Sequence, residues 1–493
     1  MKAWVDTFLA RFSMYWVVLL SLLLLFASAF GLSVAGVLQF GLADMAVCLV
    51  LFMGVSYGAN YLFAYLFSVR AHHLSALITG GILFFIFTPV LTVANLILYG
   101  LVAVTAIASK YVLGWRGRHI FNPAAIAAVI VALAGLQFAS WWVAVVPLAI
   151  PVLLLAVIVL YKTQRLQFGV LFLTVYYMVI GAIAMFSGHS PLDVIAASAT
   201  AWVPLFFVGF MLSEPQAQPG RRVQYLAYAA FVGVLASLVA PEIALVLGNV
   251  FGFLVAHRSA IVLKLVSRQA FPGGQEEFTF APQRPLHYQA GQYLEVTLPH
   301  ARADLRGTRR MFTISSAPEE KTIKITTRYA EKSSSFKTAL QRLKIGQTIT
   351  ATDVRGDFLL LADTSQKLLF IAGGIGVTPF RSHVQSLRER GEKRDTVLLY
   401  AVRHADEVLF EDILFAKASG VRVVVVASDA IPVKGREYIS APSITGDVLT
   451  QAVPDIAQRH VYISGSPAMV AAVAKLAHAQ GAARVQTDDF TGY

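Results

Sequence analysis

The chain has 493 residues, of which 57% are hydrophobic and 14% are charged, and its formal net charge is +12 at pH 7. Soluble proteins contain roughly 45–50% apolar and about 25% charged residues, so the composition excludes an ordinary soluble protein. The single cysteine, Cys48, excludes an intrachain disulfide and a cysteine-ligated iron–sulfur cluster within this chain.

Charged residues are distributed unevenly along the chain. Residues 1–265 hold 12 of the 40 Lys and Arg residues and 5 of the 28 Asp and Glu residues. This predicts a membrane domain over residues 1–265 and a charged, soluble-like region after it. The basic excess forms no stripe with interleaved aromatic residues, so binding to nucleic acid is not predicted.

Ten apolar stretches in the first region predict membrane spans, because a helix needs about 20 apolar residues to cross the bilayer. The predicted spans are 13–34, 44–68, 74–90, 91–110, 122–138, 142–161, 166–187, 198–214, 224–240 and 244–262. One helix would be enough for an anchor. Ten spans therefore predict that a ligand is bound within the membrane or that something crosses it.

Lys and Arg predict the orientation of these spans, because they concentrate in cytoplasmic connections. Every basic residue of the first region lies at the amino terminus, in an even-numbered connection or after the tenth span, except that Lys110 and Arg258 lie within the last five residues of the spans that lead there; examples are Arg70, Arg118 and Arg222. This predicts a multi-pass protein of the cytoplasmic membrane. Both termini and everything after residue 265 are expected in the cytoplasm, and the first span is expected to stay as an anchor.

After residue 265 the pattern changes to short strands. A small antiparallel barrel is predicted over residues 266–362 from the segments Gln292–Leu298, Met311–Ser315, Thr322–Arg328 and Thr348–Asp353. A doubly wound parallel sheet is predicted over residues 363–493 from the strands Leu368–Ala372, Thr396–Ala401, Val421–Ala427 and His460–Ser464.

The first strand of the parallel sheet ends in a glycine-rich turn. Gly373, Gly374 and Gly376 follow the strand, and a helix is predicted to begin near Thr378 and Pro379. Glycines allow the backbone to approach a ligand, and the helix amino terminus presents N–H groups to a pyrophosphate. Taken alone, the turn is equally consistent with a tight turn that binds nothing.

Other motifs accompany the turn in a fixed order. They are Ala290–Tyr293, Arg310–Thr313, Ser333–Phe336, Gly356–Phe358, Tyr400–Arg403 and Ser464–Met469. Their order and spacing resemble the ferredoxin–NADP reductase superfamily over roughly residues 268–493. The resemblance implies a FAD-binding barrel followed by a domain that binds NADH or NADPH.

The resemblance also implies roles for individual residues. Arg310 would clamp a phosphate of FAD, Phe312 would pack against the flavin ring, and Thr313 would bond near the flavin N5 atom. Ser334 and Ser335 would contact the second phosphate of FAD.

The remaining implied roles concern the nicotinamide dinucleotide. The residues that would hold it are Gly373, Gly374, Gly376, Thr378 and Pro379. The residues that would line the nicotinamide side are Ser464, Gly465 and Met469. The family usually has Cys-Gly-Pro where this chain has Ser-Gly-Ser, a departure that bears on the geometry of hydride transfer.

Two questions stay open in this region. Family members often stack a carboxy-terminal aromatic residue on the flavin, and Phe490 or Tyr493 would serve, although either could simply pack the last strand. Asp429 would favour the ribose hydroxyl of NADH, whereas Lys434 and Arg436 would favour the 2′-phosphate of NADPH.

Three motifs of the membrane region carry a second resemblance. They are Ala76–Gly81 followed by Pro89, Gly117–Ala125, and Asp193–Thr200 leading to Phe210–Pro215. Together they resemble the RnfD/NqrB family, the membrane flavin subunits of the Rnf complex and of the sodium-pumping NADH:quinone reductase, over about residues 10–262.

This resemblance implies that Thr200 carries FMN through a phosphoester bond made by a separate flavin transferase outside the cytoplasm. Asp193 matches the upstream acid of the motif. Ser198 and Ala199 are the pair that precedes the threonine. The family commonly has Ser-Gly-Ala-Thr here, whereas this chain has Ala-Ser-Ala-Thr. The alternative is a helix amino terminus capped by Ser198 or Thr200.

Asn122, followed by Pro123, predicts a helix cap. The functional alternative is a second, non-covalent flavin near the cytoplasmic face, bound by this helix terminus and Arg118. A single electron hop across about 30 Å of hydrocarbon would be very slow, which favours such an intermediate cofactor.

The predicted protein is a membrane-bound NAD(P)H-dependent flavin oxidoreductase, with electrons passing from NAD(P)H through FAD and membrane flavins to a quinone or an extracytoplasmic acceptor. Its expected partners are lipid, that acceptor and a flavin transferase, and no metal is expected. Two alternatives remain: a quinone reductase without outward transfer, including a redox-driven ion pump, and a transporter whose cargo is released by the reductase.

Overall fold

The computed structural model describes residues 5, 8–9, 11–69, 71–115, 118–201, 203–214, 217–219, 222–255, 261–300, 303–329, 333–416, 420–429 and 436–489. The chain forms two compact units. One is Phe12–Arg258, and the other is Ser259–Tyr493 together with Met1–Arg11.

The first unit is built of helices. They are α1 (Met14–Val34), α2 (Leu42–Leu66), α3 (His73–Ile86), α4 (Val93–Val112), α5 (Pro123–Leu133), α6 (Ala149–Lys162), α7 (Leu166–Phe186), α8 (Pro191–Ala201), α9 (Arg222–Ala236) and α10 (Pro241–Val255). A short helical turn, Val203–Phe206, and a π-helical turn, Phe207–Leu212, follow α8. Each predicted span thus contains a helix.

Four of the described helices, α1, α2, α4 and α7, are long and apolar enough to cross a membrane. A bent pair, Pro191–Ala199 with Val203–Leu212, gives a fifth if it counts as one span. The other helices are shorter; α5, for example, ends at Leu133 because Gly135 adopts a left-handed φ of 71°. Ten full spans therefore remain a prediction.

Two predicted boundaries are corrected. The helix predicted to begin at residue 198 begins at Pro191, so Asp193 lies in its first turn and Ser198 inside it. The prediction that Ser198 or Thr200 caps this helix is therefore wrong, and the Ser190 hydroxyl accepts from the Asp193 N–H at 3.4 Å instead. The tenth helix ends at Val255, and Ile261 already belongs to a strand.

The second unit begins with an antiparallel sheet. Its strands are β1 (Ile261–Phe271), β2 (Gln275–Pro282), β3 (Tyr293–Thr297), β4 (Arg309–Thr313), β5 (Ile323–Arg328) and β6 (Thr348–Arg355), in the order β4-β3-β6-β1-β2-β5. Helix α11 (Ser335–Gln341) buries Phe336 and Leu340 in the core of this sheet. No pairing closes β4 onto β5 among these described strands, so the predicted barrel is not confirmed.

The parallel sheet follows. Its elements are β7 (Leu368–Gly373), α12 (Thr378–Glu389), β8 (Thr396–Ala401), β9 (Val421–Ala427), β10 (Glu437–Ser440), α13 (Gly446–Ala452), β11 (His460–Gly465), α14 (Pro467–Ala479) and β12 (Arg484–Asp489). Alternate residues of β7 enter two separate core clusters, Leu369 and Ile371 in one and Leu368 and Phe370 in the other. The predicted doubly wound parallel sheet is confirmed.

The strand order of this sheet, β10-β9-β8-β7-β11-β12, locates a binding crevice. From β7 the chain moves outward through β8, β9 and β10, and then returns to place β11 on the other side of β7. In open parallel sheets, ligands bind where this direction reverses, beyond the carboxyl ends of the strands. The crevice between the ends of β7 and β11 is therefore the expected nucleotide site.

Candidate functional site

The glycine-rich turn lies at this reversal. Ser464 of β11 pairs with Ala372 of β7, which places the ends of the two strands side by side. Residues Gly374–Val377 form a 3-10 turn, and α12 begins at Thr378 with Pro379 in its first turn. The predicted turn and helix start are confirmed. The Thr378 hydroxyl donates to the carbonyl of Ile375 at 3.1 Å and stabilises the turn.

The three glycines serve different purposes. A Cβ on Gly376 would lie 2.6 Å from the carbonyl carbon of Ser464, and a Cβ on Gly373 would overlap the sulfur of Met469. These two glycines therefore allow the turn to pack against the end of β11 and the first turn of α14. Gly374 has a φ of 52° and open space where a Cβ would stand, so it is the glycine with room for a ligand.

Three residues predicted to touch cofactors carry buried polar atoms that have no hydrogen-bond partner among the described residues. They are Nη2 of Arg310, Oγ1 of Thr313 and Oγ of Ser464. An unsatisfied buried polar group costs about 1–3 kcal/mol, and native proteins leave few of them. A flavin dinucleotide and a nicotinamide dinucleotide offer phosphate, carbonyl and ring-nitrogen acceptors, so these residues fit such ligands.

Arg310 is held by the loop before β4. Its Nη1 donates to the carbonyl of Arg306 at 2.8 Å, and its Nη2 lies 3.5 Å from a carboxylate oxygen of Asp304. Burial lowers the pKa of Arg310 to about 10, and Asp304 opposes this shift, so the guanidinium stays positive at neutral pH. A positive guanidinium suits a phosphate. Sequence reasoning missed Asp304, a lone acid in a loop.

The other predicted flavin contacts have partners within the protein. Phe312 packs in the sheet core, with its ring centroid 5.9 Å from that of Phe336. Ser334 caps α11 by accepting from the N–H of Lys337 at 3.4 Å. The Ser335 hydroxyl accepts from the Asp304 N–H at 2.9 Å. Contact of these residues with FAD stays a prediction.

Helix α12 links the nucleotide turn to the flavin-side motifs. Arg381 donates to the Ser315 carbonyl at 3.0 Å and forms an ion pair with Glu320. The ring Nε2 of His383 lies 3.0 Å from the Phe358 carbonyl oxygen, and burial lowers the pKa of His383 to about 3. The imidazole is therefore neutral at working pH, which allows it to be buried. The sequence motifs gave no signal for His383.

Several predicted residues lie outside the part of the chain that the structure describes. These are Phe490, Tyr493 and Lys434, and also the side chains of Arg118 and Thr200. Of their neighbours, Asp193 is exposed and the Ser198 hydroxyl lies 3.1 Å from the Tyr176 hydroxyl.

The three membrane motifs meet at one cleft of the first unit. The cleft has a volume of about 580 Å³, including the part open to solvent. Thr79 of α3, Asn122 before α5, and Ser213 and Glu214 after the π-helical turn all line it, beside apolar side chains such as Phe210. An apolar cleft with a few polar groups is typical of a small-molecule site.

Asn122 stands at the centre of a polar network in this cleft. Its Oδ1 accepts from the Ala125 N–H at 3.1 Å, which confirms the predicted cap. Its Nδ2 donates to Glu214 at 3.0 Å, and the other Glu214 oxygen lies 2.9 Å from Nε2 of His119. The Asn122 N–H donates to Asn249 Oδ1 at 2.8 Å. Sequence reasoning missed the parts played by Glu214, His119 and Asn249.

Comparison with known proteins identifies part of the second unit. Residues 370–475 match the family model described as Oxidoreductase NAD-binding domain. NADH oxidoreductase HCR of Escherichia coli (strain K12) is 29% identical over 179 residues, which are 36% of this chain and 52% of that protein. Flavohemoprotein of Halalkalibacterium halodurans is 30% identical over 123 residues, which are 23% of this chain and 29% of that protein.

A solved structure of a ferredoxin NADP+ reductase from Neisseria gonorrhoeae with bound FAD and NADP aligns with a TM-score of 0.40 and 17% identity, covering 48% of this chain and 99% of that chain. The curated relatives share 29% to 56% of their own length with this chain. Residues 370–475 of the second unit therefore contain an oxidoreductase NAD-binding domain.

Proposed function

We propose that this protein is a membrane-bound NAD(P)H-dependent flavin oxidoreductase. In this proposal electrons pass from cytoplasmic NAD(P)H through FAD and membrane flavins to a quinone or an extracytoplasmic acceptor. The observation that carries it is the set of buried polar atoms of Arg310, Thr313 and Ser464 that have no hydrogen-bond partner among the described residues, in the unit whose glycine turn lies at the sheet reversal. FAD, when bound, supplies a hydride acceptor that can release electrons singly.

The residues of the second unit then have distinct tasks. Arg310 binds a phosphate of FAD through Nη2, and Thr313 donates its hydroxyl near N5 of the flavin. The N–H groups at the start of α12 bind the pyrophosphate of the nicotinamide dinucleotide. Ser464 orients the nicotinamide beside the flavin. The roles of these residues are to bind and position, because hydride transfer needs no acid or base from the protein.

The membrane part of the proposal rests on the shared cleft of the three motifs. Asn122, with Glu214 and Thr79 beside it, is proposed to bind a non-covalent flavin. Thr200 is proposed to carry FMN, attached by a flavin transferase that reads the Asp193 side of the motif. With both flavins present, electrons would avoid one long hop across about 30 Å of hydrocarbon.

A denaturing gel viewed under ultraviolet light tests the covalent flavin. The full chain, co-produced with a flavin transferase, is compared with Thr200→Val and with Thr174→Val, an exposed threonine of α7. Fluorescent bands in the wild type and in Thr174→Val, but not in Thr200→Val, are expected. A dark wild-type band, with an active transferase on a control substrate, would remove the outward path and leave an NAD(P)H:quinone reductase.

Direction of transfer is tested in right-side-out vesicles that contain NADH. Reduction of a membrane-impermeant dye added outside is expected from the wild type and not from Thr200→Val. Reduction of a membrane-permeant quinone without any dye reduction would refute the outward path, while leaving the reductase assignment intact.

A further inference from the structure

The ends of β8 and β9 lie on the same edge of the sheet as the glycine turn. Ala401, the last residue of β8, pairs with Gly373 on one side and with Val426 of β9 on the other. Neighbouring strands are about 4.8 Å apart, so the end of β9 lies about 10 Å from that turn. A dinucleotide with its pyrophosphate on the turn would extend its adenosine ribose over this distance.

A fixed carboxylate occupies this position. Nδ1 of His404 lies 3.0 Å from one oxygen of Asp429, and the N–H of Ala405 donates to the other at 3.1 Å. These contacts, that of His404 foremost, hold the pKa of Asp429 below its usual range, so the group is negative at neutral pH. The Asp429 side chain is still 50% exposed, so the carboxylate can meet a ligand.

The basic residue Arg436 lies away from Asp429 and is engaged by other groups. The residue after it, Glu437, pairs with Val424, five residues before Asp429. Arg436 donates from Nη1 and Nη2 to the two carboxylate oxygens of Glu411, at 2.8 and 3.0 Å. Its guanidinium also stacks on Phe415, with Cζ 4.4 Å from the ring centroid. The paired and stacked guanidinium is held away from the role of a free phosphate ligand. Lys434 lies outside the described residues, and Arg403 is exposed after β8.

We infer that the nucleotide site prefers NADH to NADPH, with Asp429 as the specificity-determining residue. The Asp429 carboxylate accepts from the ribose hydroxyl of NADH and repels the additional phosphate of NADPH. This inference rests on the proposed function, because it requires a dinucleotide on the glycine turn.

The test measures binding of two fragments that differ only by the 2′-phosphate, 5′-AMP and 2′,5′-ADP, to the FAD-loaded full chain in detergent by calorimetry. The wild type is expected to bind 5′-AMP about tenfold more tightly or better, because only the 2′-phosphate brings a like charge to the Asp429 carboxylate. Asp429→Asn is expected to lose about tenfold of this discrimination, chiefly through tighter binding of 2′,5′-ADP.

Asp406→Asn is the matched control. Like Asp429→Asn, it removes one negative charge, but it does so in the loop between His404 and Glu407. Its discrimination is expected to stay near that of the wild type. Equal wild-type affinities for the two fragments, an unchanged ratio in Asp429→Asn, or an equal change in Asp406→Asn would overturn the inference. So would wild-type preference for 2′,5′-ADP that is lost in Arg403→Ala.

Binding of the two fragments also distinguishes a failure of the NADH preference from a failure of the proposed function. Because neither fragment donates a hydride, their binding does not depend on electron transfer to any acceptor. A wild type that binds neither fragment would contradict the proposed function at its nucleotide site. A wild type that binds both without discrimination would leave the proposed function standing and remove only the preference for NADH. Steady-state kcat/KM values with NADH and NADPH should follow the same order in each variant.

Discussion

Replacement of Gly376 by alanine should impair hydride transfer out of proportion to its effect on folding. The added Cβ would lie 2.6 Å from the Ser464 carbonyl carbon and 2.8 Å from Cα of Gly465, and real Cβ contacts shorter than 3.0 Å essentially do not occur. To widen the contact from 2.6 to 3.0 Å, the turn or the end of β11 must move by about 0.4 Å or more. Both neighbours are backbone atoms, so no side chain can rotate away.

The size of the effect follows from this displacement. Overpacking of this kind lowers the free energy of unfolding by about 1–3 kcal/mol. A misplacement of about 1 Å in an active site can cost about 100-fold in rate, so a shift of roughly half that size should slow flavin reduction about tenfold. The rate is measured by stopped-flow absorbance of the flavin under anaerobic conditions with saturating NADH, and stability by thermal unfolding of the full chain.

Gly391→Ala is the control variant for Gly376→Ala. Gly391 follows α12 with a φ of 65°, and no atom lies within 4 Å of the position that a Cβ would take, so alanine there is strained but unobstructed. It should cost about 1–2 kcal/mol of stability without slowing flavin reduction. The reasoning is refuted if Gly376→Ala reduces its flavin at the wild-type rate, or if Gly391→Ala is slowed by a similar factor.

Three other predictions follow from single contacts. Ser464→Ala removes a fully buried hydroxyl that has no hydrogen-bond partner among the described residues, so the free energy of unfolding should rise by about 1 kcal/mol while flavin reduction slows. An unchanged rate would dissociate Ser464 from the nicotinamide. His383 has a pKa of about 3 in the folded state against an ordinary 6.5, so the free energy of unfolding falls as the pH drops below 6.5, by about 2 kcal/mol at pH 5. The melting temperature of His383→Gln should therefore depend less steeply on pH between 7 and 5. A pH profile identical to that of the wild type would contradict the buried, neutral imidazole. Glu214→Gln removes the charge that accepts from Asn122 and should release the non-covalent membrane flavin, while FMN fluorescence on the denaturing gel persists. The released flavin is measured by chromatography of acid-extracted flavins. Retention of that flavin would contradict the proposal that it binds in the cleft.

The strands of the parallel sheet were the most predictable part of the fold. Buried parallel strands are continuous apolar runs that stand out from their surroundings, and the predicted strand Val421–Ala427 has the same bounds in the structure. The edge strands β10 and β12 were missed. Glu437–Ser440 is short and half polar, and Arg484–Asp489 carries mostly polar residues, so their pairing depends on the neighbouring strand rather than on their own pattern.

Boundaries between the two units were less predictable. Ile261–Leu265 is apolar enough to extend a membrane helix, and only the alternation of buried and exposed side chains in the folded sheet identifies it as a strand. The start of α8 was missed for a related reason: Pro191, Leu192 and Asp193 look like a connection, but proline is well placed in the first turn of a helix.

Site residues in local motifs were predictable from the sequence, and site residues that act through distant contacts were not. Gly373, Gly376 and Ser464 belong to contiguous motifs, and local sequence was enough to single them out. Asp304, His383 and Glu214 act through partners that are 31, 25 and 92 residues away along the chain. No local pattern reports such contacts, and a single sequence contains no record of which distant residues meet.

Helix α12 has a consequence for protein engineering. Consecutive side chains of this helix, Arg381, Ser382 and His383, are bonded to the carbonyls of Ser315, Ser316 and Phe358 in the preceding region. The helix that opens the nucleotide domain is thus matched to loops outside that domain. A chimaera that exchanges only residues 363–493 for those of another reductase would separate these matched surfaces. Transplanting the segment from Ser315 to Glu320 and Phe358 with the domain should restore the junction.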